Sequence, residues 1–325
     1  MKKPMGLALA VLVLLASAWA ASRLPAQMPR MPRMPQADPA DQMSKVPADV
    51  ADAARKTFTV LYAFSIRGMP DMRRYWMSRL TLVGGDLYPG GGTTENQRAQ
   101  PHETHIRTLA RAIARRQTRL VCLDIEHWPT RGNDQQVAQT VAKYTAILDW
   151  MHDQEPGLRI GYYGVPPIRD YWNAIKGEDD EGYQLWQADN RRLVEIARHA
   201  DVLFPSLYTF YEDQAGWQKY AQANLKEARQ YHRLTYPFLW PQYHDSNKEI
   251  GGQFLPGDYW RMQLETCYRH ADGLVIWLGG KDADGQPLTW DDNAPWWQET
   301  VKFLREKGVM PERNAERGDG AKNEQ

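Results

Sequence analysis

The chain predicts a β/α barrel of the TIM type. Three observations carry that expectation: short apolar runs alternate with helical periodicity through its middle, the alternating part has the length of one barrel, and several runs end in polar or aromatic side chains. The runs are Phe58–Phe64, Leu80–Val83, Leu120–Ile125, Arg159–Tyr163, Val202–Tyr208, Tyr236–Trp240 and Leu274–Trp277. Helical spacing of apolar residues lies between or after them, at Ile106–Arg115, Val137–His152, Arg191–His199, Trp217–Tyr231, Tyr259–Arg269 and Trp296–Glu306. Strand–helix alternation argues for a parallel sheet with helices outside. Seven strands are counted where eight are usual. Either an eighth lies between Gly164 and Asp201, or the barrel is a distorted one of seven. A doubly wound open sheet is the runner-up, but its commonest function is removed because no Gly-x-Gly-x-x-Gly or phosphate-loop pattern is present. Gly90-Gly91-Gly92 has no Lys-Ser/Thr partner and reads as a mobile loop.

The segments outside the barrel read differently. Lys2 and Lys3, an apolar run from Leu7 to Leu15, and Ala18-Trp19-Ala20 form the pattern of a cleaved secretory signal over residues 1–20, with the cut after Ala20. The apolar run is short for a membrane span, so no stable insertion is expected once it is removed, and the protein is expected to be secreted or periplasmic. Residues 21–55 carry Met-Pro-Arg units and read as a flexible linker. The barrel domain is assigned to residues 56–308 and a polar, frayed tail to 309–325.

Composition excludes some functions. The 325 residues hold 40 Lys+Arg and 40 Asp+Glu, so nothing global favours nucleic acid or an anionic membrane surface. Trp 13 and Tyr 16 against Phe 7 favour flat faces with polar tips, which suit sugars. Cys122 and Cys267 are the two cysteines; a bond between them is left open, and neither sits at metal-ligand spacing.

The richest stretch is Val121-Cys122-Leu123-Asp124-Ile125-Glu126-His127-Trp128. Side chains alternate across a strand, so Asp124 and Glu126 point the same way, with Cα atoms roughly 6.5–7 Å apart. Two like charges at the end of a core strand are costly unless a site uses them. They couple: ionisation of one raises the pKa of the other. A proton held on Glu126, with Asp124 ionised beside it, is the general acid that glycoside cleavage needs. Acids on one wall are badly placed for a protein nucleophile, which must attack the opposite sugar face. A substrate-assisted route fits better: the 2-acetamido oxygen of an N-acetylhexosamine attacks the anomeric carbon, Asp124 orients the acetamide, and no cofactor or metal is required. Tyr208 and Tyr243 are candidate hydrogen-bond donors and Trp277 a stacking floor. Two alternatives compete with an enzyme of this kind. One is a carbohydrate-binding barrel without turnover. The other is a metal-dependent deacetylase using His102, His105, His127 or His244 with Asp124, although His102 and His105 read better as part of a solvated helix start.

These motifs, in order, resemble the hyaluronidase family of glycoside hydrolases. Leu123-Asp124-Ile125-Glu126-His127-Trp128-Pro129 is similar to its acid-x-acid strand; Gly161-Tyr162-Tyr163-Gly164-Val165-Pro166, Phe204-Pro205-Ser206-Leu207-Tyr208, Gln242-Tyr243-His244-Asp245 and Gly273-Leu274-Val275-Ile276-Trp277 resemble later barrel segments. The resemblance implies a seven-stranded barrel, Glu126 as proton donor and Asp124 as the acetamide-orienting acid. It implies that Tyr208, Tyr243 and Trp277 hold the sugar, with Tyr163, Asp245 and Asp86 as rim candidates. The partner is then a polysaccharide or oligosaccharide. His127 and Ile125 depart from the family's pattern, its cross-barrel disulfides have no counterpart, and the cationic groove lining of animal members is not traceable in the sequence.

Overall fold

The computed structural model describes residues 57–310, apart from 93, 117 and 118 and the side chains of 96 and 97. Residues 1–56, which hold the expected signal and linker, and residues 311–325 lie outside the described residues.

Seven parallel strands form among the described residues. They are β1 (Thr59–Tyr62), β2 (Ser78–Arg79 and Thr81–Val83, joined at Leu80), β3 (Leu120–Leu123), β4 (Arg159–Tyr162), β5 (Val202–Leu203), β6 (Leu234–Thr235 and Phe238–Leu239) and β7 (Gly273–Ile276). The pairing can be followed around a full ring. Leu61 pairs with Ser78, Val83 with Leu123, and Cys122 with Gly161. Tyr163 bridges to Phe204, Leu203 pairs with Thr235, Phe238 with Val275, and Gly273 returns to Thr59. The barrel therefore closes on seven strands, with no free sheet edge among the described residues. All seven sequence-predicted runs contain strand; most strands are shorter than their apolar runs, whereas β2 and β6 begin earlier, at Ser78 and Leu234, and β7 is shifted by one residue.

The segment between Gly164 and Asp201 explains the count. It folds into helices Tyr171–Ala174, Glu181–Arg191 and Val194–His199, not an eighth strand. The distortion is clearest between β1 and β2, where a 3-10 turn, Met72–Tyr75, stands in for a full crossover helix.

Alternation along β3 decides where the acids point. Val121, Leu123 and Ile125 are buried in the layer against Ile106, Ile113, Tyr144 and Ile147 of the two flanking helices, Glu103–Ala114 and Asp134–Gln154. Cys122 belongs to the interior cluster with Tyr163, Tyr208 and Phe238. The even positions thus face the barrel axis. The helix after β3 is anchored by a capping box: the Asn133 side chain accepts from the Gln136 amide while the Gln136 side chain accepts from the Asn133 amide. Close strand approach explains Gly161: a Cβ there would lie 1.9 Å from the Val202 carbonyl oxygen.

Three details refine the sequence reading. Cys122 and Cys267 are both buried and form no disulfide with each other, which answers the question the sequence left open. The Gly90–Gly92 segment is folded into a turn with φ of 73°, 80° and 63°, and a Cβ at Gly92 would lie 2.7 Å from the Tyr88 ring. Met310, assigned to the tail, is buried, and its amide donates to the Leu304 carbonyl. No helix among the described residues is long and apolar enough to cross a membrane.

Candidate active site

Asp124 follows directly on β3. Its amide still donates to the Val83 carbonyl at 2.8 Å, so the ladder carries it to the carboxyl-end mouth of the barrel. Glu126 lies two residues further out, after an irregular step, and its side chain is 57% exposed. Both line the same cavity of about 340 Å³, together with Leu82, Tyr163, Arg169, Tyr208, Phe238, Trp240, His244, Asp245 and Trp277. Glu126 also borders two neighbouring hollows. One is lined by Trp128, Tyr144, Tyr163, Ile168, Arg169 and Ser206. The other, of about 380 Å³, is lined by Gly84, Gly85, Tyr88, Gly92, Arg98 and His127, and Asp124 shares it. The outer acid therefore stands where three openings meet, and the inner acid lies beneath two of them.

The electrostatics single out Asp124 in the free protein. The carboxyl pushed up is Asp124, to about 6, first because it is buried and second because Glu126 is nearby. The reason is local. The strand ends at Leu123, and the chain then carries Glu126 out toward solvent while Asp124 stays in the mouth. Asp124 Oδ1 is buried and has no hydrogen-bond partner. An acceptor left in this state is uncommon in a folded protein and marks a position that a donor can fill.

Aromatic rings form the rest of the main cavity. Tyr208 is buried against Tyr163, Trp240 and Trp277, with ring centroids 5.7, 5.4 and 5.7 Å away. Trp240 and Trp277 meet edge to face at 4.7 Å. Their positions are fixed by polar partners. Trp240 Nε1 donates to Gln242 Oε1 at 2.9 Å, Gln242 Nε2 donates to the Gly252 carbonyl at 2.6 Å, and the Tyr163 hydroxyl bonds Ser206 Oγ at 2.9 Å. Burial pushes the Tyr163 hydroxyl up to about 12 and holds the Tyr208 hydroxyl well above its ordinary value, so both stay protonated and able to donate.

The structure brings together Asp124, Glu126, Tyr163, Tyr208, Trp277 and Asp245 of the residues predicted from sequence. It does not bring Tyr243 or Asp86 to this cavity. Tyr243 bridges to Thr209 and turns its ring toward Tyr259 on the helix Gly257–His270, 6.4 Å away. Period-two alternation then sends its neighbour His244 to the cavity wall. Asp86 is exposed in the turn after β2, and its backbone carbonyl accepts from His105 Nε2 at 2.8 Å. Among the described residues, no group of three or more His, Cys, Asp and Glu side chains gathers as a metal site.

Sequence reading missed Arg169, weighed His244 only as a metal ligand for a deacetylase, and left Trp240 as a strand end without a role in the site. Arg169 is on the loop after β4; its guanidinium is 4.0 Å from Glu126 Oε2 and lies 5.7 Å from the centre of the Phe210 ring. His244 Nδ1 accepts from the Ser246 amide at 3.1 Å, which leaves the Nε2 proton available as a donor. Burial also lowers its pKa, favouring the neutral ring. Trp240 could have been found from its strand-end position, whereas Arg169 follows a Pro-Pro pair in a loop and carried no sequence signal.

His127 and Trp128 secure the other wall. His127 Nε2 lies 3.2 Å from the Arg98 carbonyl and 3.3 Å from the Tyr88 hydroxyl, and Trp128 Nε1 donates to the same carbonyl at 2.8 Å. The residue that departs from the family's pattern thus holds the segment bordering the Glu126 hollow.

No known family model matches the chain, and none of the curated proteins matches it in sequence. Its likeness to solved structures is clearer. It is similar to the crystal structure of bee venom hyaluronidase, with 14% identity, a TM-score of 0.52, and coverage of 76% of this chain and 95% of that one. The same venom enzyme in complex with a hyaluronic acid tetramer gives 14% identity, a TM-score of 0.52, and coverage of 76% and 94%. At this identity the likeness establishes the fold. A TIM-type β/α barrel resembling that of the hyaluronidases is what the five sequence motifs implied.

Proposed function

We propose that the protein is a retaining glycoside hydrolase that cleaves N-acetylhexosamine-containing polysaccharides by substrate assistance. The observation that carries this reading is the buried, unpartnered Oδ1 of Asp124 at the floor of an aromatic cavity, with a second carboxyl above it. A carboxylate oxygen of this kind is matched by an amide N–H, and a 2-acetamido group supplies one.

The raised Asp124 carboxyl of the free protein supports a binding-driven proton shift. Before substrate arrives, the burial cost falls on Asp124. A sugar seated in the cavity covers Glu126, and desolvation then favours its neutral form. The acetamide N–H donates to Asp124 Oδ1 and favours its ionised form. The proton is thereby held by Glu126 when it is needed. The acetamide carbonyl oxygen then attacks the anomeric carbon, and Glu126 gives its proton to the departing glycosidic oxygen. Asp124 stabilises the positive charge that develops on the acetamide. In the second half, Glu126 takes a proton from water as the water's oxygen displaces the acetamide oxygen, which restores the starting configuration. Tyr208 is a donor to the sugar, and Trp277 and Trp240 give it a stacking face. The signal-like N-terminus extends the proposal to an exported enzyme meeting polymer outside the cell.

The test is incubation of the protein with hyaluronan, chondroitin and chitin oligomers and with de-N-acetylated versions of each. At least one acetylated polymer is expected to be cut with retention of anomeric configuration, and its de-N-acetylated form to resist. Inverted products, or equal cleavage of both forms, would sink the mechanism.

A further inference from the structure

A single exposed apolar side chain is ordinary, but exposed aromatic rings that touch one another and adjoin a cavity mark a binding surface. Trp172, at 60% exposure, and Tyr211, at 39%, are two such residues, and they lie against each other with ring centroids 5.4 Å apart. They come from different parts of the chain: Trp172 from the short helix Tyr171–Ala174 after β4, Tyr211 from the segment after β5. Their support is rigid. Tyr171 packs beneath them, 5.5 Å from Tyr211 and 5.4 Å from the buried Tyr220, and its hydroxyl donates to Asp213. Asp170 caps the short helix and is held by Arg131 at 2.6 Å.

The pair is continuous with the cavity. Rings follow one another from Trp277 to Tyr208 at 5.7 Å, to His244 at 6.1 Å and to Phe210 at 4.6 Å. They continue from Phe210 to Tyr211 at 6.4 Å and then to Trp172. Arg169 links the same track to the acids, with Phe210 on one side and Glu126 on the other. We infer that Trp172 and Tyr211 form a distal sugar-binding platform, on which a pyranose of the same glycan chain stacks several rings out from the cleaved bond. Flat apolar faces with polar tips match the alternating C–H and hydroxyl surfaces of a sugar. The platform would make the protein select long chains over terminal units. This rests on the glycosidase reading, and binding can be measured without turnover.

The experiment compares Trp172→Ala, Tyr211→Ala and the double variant with the parent, each in a Glu126→Gln background. Affinity is read by calorimetry against chitin and hyaluronan oligosaccharides of increasing length. The parent is expected to gain affinity as chains lengthen. The double variant is expected to lose roughly tenfold on long chains while short oligosaccharides bind unchanged. Thermal melting should be unaltered, because both rings are on the surface. Loss that is equal at all lengths, no loss at all, or no binding of any chain by the parent overturns the platform. Turnover by the unmutated enzyme together with a length profile untouched in the double variant would overturn the platform and leave the hydrolase reading standing.

Discussion

Two half-buried aspartates stand at opposite ends of the barrel, and the fold treats them in opposite ways. Asp124 follows β3 at the carboxyl-end mouth; Asp201 precedes β5 at the other end. Asp201 Oδ2 accepts from the Ile160 amide at 2.8 Å and from His152 Nε2 at 2.8 Å, and its pKa is lowered despite partial burial. Asp124 Oδ1 accepts from nothing, and its pKa is raised to about 6. Burial acts the same way on both, so the hydrogen bonds decide the sign. A carboxylate that serves the fold is satisfied by the fold. One left unsatisfied costs stability, and it persists where something other than the fold completes it.

Altering the acids at the mouth tests that contrast most severely. Glu126→Gln is expected to lower kcat by at least about a hundredfold, as loss of a general acid does, with no change in melting beyond about 0.5 kcal/mol. Asp124→Asn is expected to lose roughly a hundredfold in kcat and yet to be no less stable at neutral pH. The linkage gives the sign. A carboxyl at 3.8 when unfolded and about 6 when folded contributes stability that is full below 3.8 and lost as pH rises through 6. Denaturant unfolding of the parent should therefore gain stability, on the order of 3 kcal/mol at most, between neutral pH and about pH 4 from this group. Asp124→Asn should lack that component. An unaltered pH profile in the variant would mean that Asp124 is not the strained group.

How much of this was legible in the sequence follows from periodicity. All seven strands could be read because each is a short apolar run, and the direction of Asp124 and Glu126 followed from alternation alone. The seven-strand closure was left open because counting runs cannot tell a helical crossover from a missing strand. Tyr243 and Asp86 were misplaced for a different reason. A motif gives an order of residues but not which of two neighbours a short bridge turns inward, and His244 took the position expected of Tyr243. The partition of burial between the two acids was invisible as well. It depends on β3 stopping at Leu123, one step before the first of them. Arg169 could not be read, since its partners Glu126 and Phe210 are distant in sequence.

At the satisfied end the expected effect is smaller and concerns stability alone. Asp201→Asn should leave kcat unchanged and cost about 1 kcal/mol near pH 6, a modest figure because Asp201 is over a third exposed and its ion pair is screened. His152 is raised above 6.5 chiefly by its bond to Asp201, so its share is complete below 6.5 and is lost as pH climbs through the folded value. Asp201 is lowered, so its share is complete above 3.8 and is lost as pH falls through its folded value. Denaturant midpoints of parent and variant should differ most between those limits, draw closer above the upper one as the His152 share is lost, and converge below the lower one. Convergence at pH 6 would show that the Ile160 amide alone satisfies the carboxylate.

The smallest effect separates two tyrosines that the sequence treated alike. Tyr208→Phe removes a hydroxyl that faces Tyr163 inside the cavity, and kcat/KM is expected to fall about tenfold if that hydroxyl bonds the sugar. Tyr243→Phe removes a hydroxyl whose ring packs toward Tyr259, in the layer between barrel and helix. Its kcat/KM is expected to stay within about twofold of the parent, because no atom of the cavity is altered. The two variants change the same atom of the same residue type, so volume and hydrophobicity cancel between them. What remains is which side of the strand end each ring occupies, and equal losses in kcat/KM would mean that alternation does not decide the role of a tyrosine in this barrel.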